Sequence, residues 1–294
     1  MITPYEKYDE LGKAIGLSAN NNLFLKREDL HPLGSHKGRS ISMMIDKYIE
    51  DGFHHFAISS SGNAALAAGL YIKELNKKRK DKIILEILLG RNIEKDKLEI
   101  LEKLKDENIL LSIHDRPLQA LYMKIQDNNV RSLRQSIDDT ALLGYKSLAE
   151  ELIEIPDLKG IFIATSSGTT AEALAQYFID NKKDIEIHIV QTTSCHPITD
   201  TFERYDGEET PSIAKAIVDH TARRKGNIRK LIEKIGGKGW IAKNEIIETA
   251  QKLVKDNTGI VLSPNGALSI AGLLESIYAG YKHGGSIVCI VGGL

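Results

Sequence analysis

Cysteine is nearly missing from this chain. Its 294 residues include two, Cys195 and Cys289, far apart in sequence. That excludes a disulfide scaffold and a cysteine-built zinc site, and it suits a reducing cytoplasm. Net charge is nearly missing too. The chain has 39 Lys+Arg against 40 Asp+Glu, a formal charge of −1. Nucleic acid as the main partner requires a basic surplus, so that partner is excluded. The basic runs Lys77-Lys78-Arg79-Lys80 and Arg223-Arg224-Lys225 sit beside acidic residues and read as solvated surface. No apolar run approaches the roughly 20 residues of a membrane span, so no membrane partner is expected. The N-terminal Met-Ile-Thr-Pro-Tyr-Glu-Lys has no basic segment followed by an apolar one, so no signal peptide is expected.

Several motifs are missing as well. No GxGxxG follows a strand, and Gly34–Ser40 lacks the GxxxxGK[ST] spacing, which argues against NAD and ATP. The nine histidines form no HExxH pair and there is no GxSxG elbow. A zinc hydrolase and a serine hydrolase are therefore not expected, and no metal site is assigned.

What is present is an ordinary soluble composition, 42% hydrophobic and 27% charged. The length fits two domains and allows a sizeable core. The dominant pattern is a short β-branched run, a Gly/Ser turn, then a helical stretch. His55–Ser59 leads into a helix over 64–75, 82–89 into 94–105, 109–113 into 118–126, and 161–164 into 171–179. Further strands are expected over 185–190 and 286–291. A helix over 244–256 has Ile246, Ile247, Ala250, Leu253 and Val254 at amphipathic spacing. Short apolar runs alternating with helices predict parallel strands buried on both faces, a doubly wound α/β fold.

Ligands of such sheets bind beyond the carboxyl ends of the strands. Two loops there have suitable chemistry. Ser166-Ser167-Gly168-Thr169-Thr170 offers hydroxyls, a glycine for close backbone approach, and helix-start amides for a phosphate. Ser60-Ser61-Gly62-Asn63 offers hydroxyls and one amide for a carboxylate, with Asn63 able to donate to a phenolate-like oxygen. On spacing alone, helix N-capping is the favoured reading of both loops.

The segment Leu25-Lys26-Arg27-Glu28-Asp29-Leu30-His31-Pro32-Leu33-Gly34-Ser35-His36-Lys37-Gly38-Arg39 resembles a signature of one family. Its Lys-x-Glu…Pro-x-Gly-Ser-x-Lys-x-Arg order is that of pyridoxal-phosphate enzymes of the tryptophan-synthase-β fold (fold type II). Threonine synthases, serine/threonine dehydratases and cysteine synthases belong there. Other landmarks follow in order from about Leu23 to Leu294. Ser60–Asn63 is similar to the family's Ser-x-Gly-Asn loop. Leu143-Gly144-Tyr145-Lys146-Ser147 is similar to the Glu-Gly-x-Lys-Thr entry of threonine synthases. Val190-Gln191 is similar to their Val-Gln strand end, and Ser263-Pro264-Asn265-Gly266-Ala267 to their Glu-Pro-x-x-Ala motif.

The resemblance implies two doubly wound lobes with pyridoxal 5'-phosphate in the cleft between them. The large lobe would span 1–41 and 139–294, the small one 42–138. Lys37 would hold the cofactor as a Schiff base and then act as general base at the substrate α-carbon. Ser166, Ser167, Gly168, Thr169 and Thr170 would form the phosphate cup. Ser60, Ser61, Gly62 and Asn63 would bind the substrate carboxylate, with Asn63 also facing the ring hydroxyl. Val291 falls where the family places a Ser or Thr at the ring nitrogen, and Cys289 shares its side of the strand. Two further positions differ: Ala141 replaces an arginine and Gly38 an aspartate of threonine synthases. His36 stands beside the lysine, as a proton-transfer candidate or as a turn residue. The implied activity is threonine synthase-like β/γ-elimination or replacement on a small amino acid. Dehydratase and cysteine synthase-like activities stay open, as does a non-catalytic relative that binds the cofactor or an amino acid. A homodimer is implied.

Overall fold

The computed structural model describes residues 2–293. The chain divides into two compact units, Met1–Leu30 with Tyr145–Leu294, and His31–Gly144. The boundaries expected at 41/42 and 138/139 fall inside the second unit.

The larger unit is built on a six-stranded sheet. Its order is Tyr5–Lys7, Asn22–Arg27, Ser286–Val291, Leu158–Ala164, Glu186–Thr192, Gly239–Ala242. All pairs are parallel except the first, where Tyr5–Lys7 runs antiparallel to Asn22–Arg27. The central strand Ser286–Val291 is buried at every position. That is why it reads as a continuous apolar run rather than an alternating one. Helix Pro264–Tyr278 packs an almost wholly buried surface on this sheet. Its start is fixed by Pro264 in the first turn and by Ser263, whose Oγ accepts the Gly266 amide at 3.1 Å.

The smaller unit carries a four-stranded, all-parallel sheet, in the order Ile109–His114, Ile84–Gly90, His55–Ser59, Val130–Ser132. Strand alternation sends Phe56 and Ile58 to one face and Ala57 to the other. The first face packs with Ile41, Met44 and Ile45 of helix Lys37–Glu50 and with Ala65, Ala68 and Ile72 of helix Asn63–Lys78. The second packs with Leu121 of helix Pro117–Lys124. Each unit is thus a doubly wound α/β sheet, as the alternating pattern predicts. On helix Asn244–Thr258 the expected apolar stripe is the one that packs: Ile247, Ala250 and Val254 are buried, with Ile246 and Leu253 flanking them.

Candidate active site

In the smaller unit, Lys37 is the first residue of helix Lys37–Glu50. The turn before it is held by Ser35, whose buried Oγ accepts the Lys37 amide at 3.2 Å. Gly34 lies against the first turn of helix Asn63–Lys78, since a Cβ at 34 would come 2.8 Å from Leu66 Cδ2. The fold therefore brings the Lys37 turn to the helix that the Ser60–Asn63 loop opens. His36 stands among cationic groups. Burial, then the charges of Lys37, Arg39 and His31, hold the His36 imidazole well below its ordinary range. A neutral ring beside Lys37 can accept or relay a proton but adds no second cation.

The Ser60–Asn63 loop is half-buried. Ser60 Oγ accepts the Gly62 amide at 3.3 Å. The N-cap position is Gly62, and no side chain caps the helix. A Cβ at Gly62 would meet nothing within 4 Å, so the backbone there faces open space.

In the larger unit, Ser166–Thr170 joins strand Leu158–Ala164 to helix Thr169–Asp180. Gly168 is the N-cap at φ +90°, and again no side chain caps the helix. A Cβ at Gly168 would sit 2.0 Å from Ile228 Cδ1 and 3.1 Å from Ile198 Cδ1. Conformation and space both demand glycine. The first intrahelical bond runs from Glu172 N to Gly168 O at 2.9 Å. The leading amides of Thr170 and Ala171 precede it and have no acceptor within the helix. At both helix starts the N-cap position is a glycine, which has no side chain to take the leading amides.

Ser166 has a different environment from its neighbours. Its Oγ accepts the amides of Val218 and Asp219, each at 3.0 Å, and so ties a separate segment to the loop. Ser167 and Thr169 pair through their hydroxyls at 3.0 Å. Behind the loop, Glu172 accepts from Arg224 Nη1 at 2.9 Å and from Asn227 Nδ2 at 2.5 Å, both ion-pair partners being buried. These bonds hold helix Lys225–Ile235, and with it Ile228, against Gly168. Sequence reasoning missed Glu172, Arg224 and Asn227. Their one sequence signal is a lone acidic residue inside an Ala-rich helix start.

Val291 ends the central strand, fully buried in an apolar cluster. Cys289 lies one pleat back, its thiol 3.7 Å from the Ser269 carbonyl and pushed upward in pKa by burial. The Lys-x-Glu part of the signature has a structural task within the larger unit. Lys26 Nζ is buried, 2.5 Å from Glu151 Oε2 and 2.6 Å from Thr3 O, while Glu28 accepts from the Thr3 hydroxyl.

Glu186, His188 and His283 bring potential metal-ligand atoms within 4.8 Å of one another. Hydrogen bonding assigns the protons. Trp240 Nε1 donates to His188 Nδ1 at 3.1 Å, so His188 Nε2 carries the hydrogen and donates to Glu186 Oε2 at 3.1 Å. Ser276 Oγ donates to Leu273 O at 2.6 Å, so at 2.8 Å it accepts from His283 Nε2. The trio is a hydrogen-bonded network whose central imidazole has no lone pair to give a metal.

The chain matches the family described as pyridoxal-phosphate dependent enzyme over residues 2–293. It belongs to that family. It is 21% identical over 296 residues to the biosynthetic L-threonine dehydratase of Haemophilus influenzae, covering 99% of this chain and 56% of that enzyme. It thus spans little more than half the length of that relative. It is 24% identical to the threonine synthase of Halalkalibacterium halodurans, covering 99% of this chain and 81% of that one. Among solved structures, a pyridoxal 5'-phosphate-dependent aspartate racemase superposes with a TM-score of 0.82 at 17% identity, covering 100% and 90% of the two chains. At that identity the likeness is one of fold.

Taken separately, the two units carry donor types that this family's cofactor uses. The Gly168 loop supplies hydroxyls and helix-start amides for a phosphate, at a position where a Cβ cannot be accommodated. Lys37 supplies a primary amine next to a neutral imidazole.

Proposed function

We propose that this family member acts on a small amino acid by β- or γ-elimination or replacement, in the threonine synthase and dehydratase group. The observation that carries the reading is that the Ser60–Asn63 and Ser166–Thr170 loops open helices without capping them by a side chain. A glycine at each N-cap suits close approach of an anion to the helix start, which supports the reading. When bound, the cofactor supplies the electron sink that makes an α-proton acidic. The chain's own residues do the rest. Ser167 to Thr170 hold the phosphate. Ser60, Ser61 and Gly62 hold the substrate carboxylate, and Asn63 donates to the ring hydroxyl. Lys37 anchors the cofactor and, once released, takes the proton from the substrate α-carbon. His36 stays uncharged and so does not compete with Lys37 for an anion.

The test starts from apoprotein mixed with pyridoxal phosphate. A visible band that Lys37→Ala abolishes supports the reading, and a protein that stays colourless refutes it. A panel of serine, threonine, homoserine and their phospho-esters then assigns the reaction through release of keto acid, ammonia or phosphate. A second reading, a non-catalytic relative, is favoured by the buried apolar Val291 where the resemblance expects a hydroxyl. It predicts spectral changes with amino acids and no product.

A further inference from the structure

We propose that Gln191 is a positioning residue for the phosphate-binding loop, an inference that rests on reading Ser166–Thr170 as that loop. Gln191 lies near the end of strand Glu186–Thr192 and is fully buried. Its Nε2 donates to Thr165 O at 3.1 Å. Its Oε1 accepts the Ile198 amide at 2.9 Å and the Thr199 amide at 3.0 Å. Thr165 is the residue at which the loop begins. Ile198 is one of the two side chains that back Gly168, its Cδ1 lying 3.1 Å from where a Cβ at 168 would stand. A single side-chain amide thus fixes both the entry of the loop and part of its rear wall.

The chemistry requires an amide. One end must donate to a carbonyl and the other must accept two N–H groups, and an amide does both without a charge. A hydrocarbon of the same size would leave three buried backbone groups unpaired. The loop would then be free to relax by fractions of an ångström, and amides aimed at a phosphate lose their geometry on that scale. Gln191 touches no ligand in this scheme. Its influence is confined to the end of the cofactor that bears the phosphate.

That confinement gives the test. Full-length apoprotein is titrated with pyridoxal phosphate and, separately, with pyridoxal, which has no phosphate. Wild type, Gln191→Leu and Gln191→Glu are compared by absorbance and by intrinsic fluorescence quenching. Gln191→Leu is expected to weaken pyridoxal phosphate binding about tenfold or more while changing pyridoxal binding less than twofold. Gln191→Glu keeps both acceptor bonds and, with its buried carboxyl protonated at mildly acid pH, a donor to Thr165, so at that pH it falls between the two. If Gln191→Leu fails to fold by circular dichroism, Gln191→Glu and Ile198→Ala carry the comparison, with the same selective loss expected. Equal loss for both ligands overturns the proposal and leaves a glutamine that merely stabilises the fold. A wild-type protein that binds pyridoxal as tightly as pyridoxal phosphate overturns the reading of the loop itself.

Discussion

Acid should loosen the larger unit through two histidines remote from the Ser166–Thr170 loop. His188 is fully buried, stacked on Phe162 at 4.3 Å, and its Nδ1 is occupied by the Trp240 N–H. His283 sits 5.6 Å away, ring to ring, with Tyr281 beside both. Burial pushes both imidazoles down, and the neighbouring His188 pushes His283 further, to about 4 from 6.5. The unfolded chain therefore takes up these protons first as pH falls through 6.5. Between there and about 4 it binds more protons than the native state, so stability is present above the window and is lost on acidification through it. At about 1.4 kcal/mol per tenfold change in proton affinity, the His283 displacement corresponds to about 3 kcal/mol. Partial exposure and screening reduce that to about 1–2 kcal/mol. The assay is the urea midpoint or melting temperature from pH 7.5 to 4.5, for wild type and His283→Gln. Glutamine keeps a donor for Ser276 and cannot titrate. Wild type should lose about 1–2 kcal/mol more than the variant over this range, roughly 2–3 °C in melting temperature. Glu186, held low chiefly by its bond from His188, adds a loss at more acid pH that both proteins share. Superimposable pH profiles would refute the reasoning.

Three other outcomes follow from single groups. Gly168→Ala forces a Cβ to 2.0 Å from Ile228 Cδ1 at φ +90°, so it should cost about 1–3 kcal/mol in chemical denaturation and weaken pyridoxal phosphate binding; unchanged values for both would contradict the loop geometry. Arg224→Met leaves Glu172 buried without its cation and should lower stability by about 3–5 kcal/mol, whereas a loss below about 1 kcal/mol would show that the pair is not closed in solution. Burial raises the Glu275 carboxyl above its ordinary range, against the pull of Lys243, so its charged form burdens the native state at neutral pH. Glu275→Gln should gain about 0.5–1 kcal/mol at pH 7, an advantage that shrinks as pH falls and the wild-type carboxyl protonates; a less stable variant at pH 7 would refute this.

The sequence shows most clearly what burial makes uniform. In strands His55–Ser59 and Ser286–Val291 the apolar runs Phe56–Ile58 and Ile287–Val291 are buried throughout, because neighbours cover both faces. Strand Tyr5–Lys7 is fully exposed and carries no such run, so nothing in its composition marks it. Val130–Ser132 is three residues long and equally silent. Strand 84–90 starts two residues later than expected, because Lys82 and Ile83 continue the pattern while Asn76 captures the Ile83 amide and carbonyl.

The proposed site residues divide in a similar way. Lys37 and the two helix-opening loops stand out because anion chemistry needs glycine and hydroxyls in short order. Gln191, Glu172 and Arg224 do not, because each works through partners at large sequence separation. Glu172 and Arg224 are 52 residues apart, and only the fold shows that their charges meet.

Two positions that differ from threonine synthases are governed by packing. Ala141 is buried in the core of the smaller unit, and its carbonyl accepts the Ser40 hydroxyl at 2.8 Å. Gly38 lies directly under the Lys37 turn. A Cβ there would come 2.6 Å from His31 Cε1 and 2.6 Å from Leu33 Cβ. The ring cannot easily turn aside, because its Nδ1 accepts the Leu33 amide at 3.1 Å. The histidine therefore fills the space an aspartate would need, and the two residues must be exchanged together. Gly38→Asp alone should destabilise by about 1–3 kcal/mol, as overpacking does. Combined with His31→Ser, part of that loss should be recovered, because the ring is removed while Leu33 Cβ remains. The two changes would then be non-additive, as expected of residues in contact. Strict additivity in urea denaturation would mean that the glycine is not there for space, and its absence of a side chain would then bear on the chemistry of Lys37 itself.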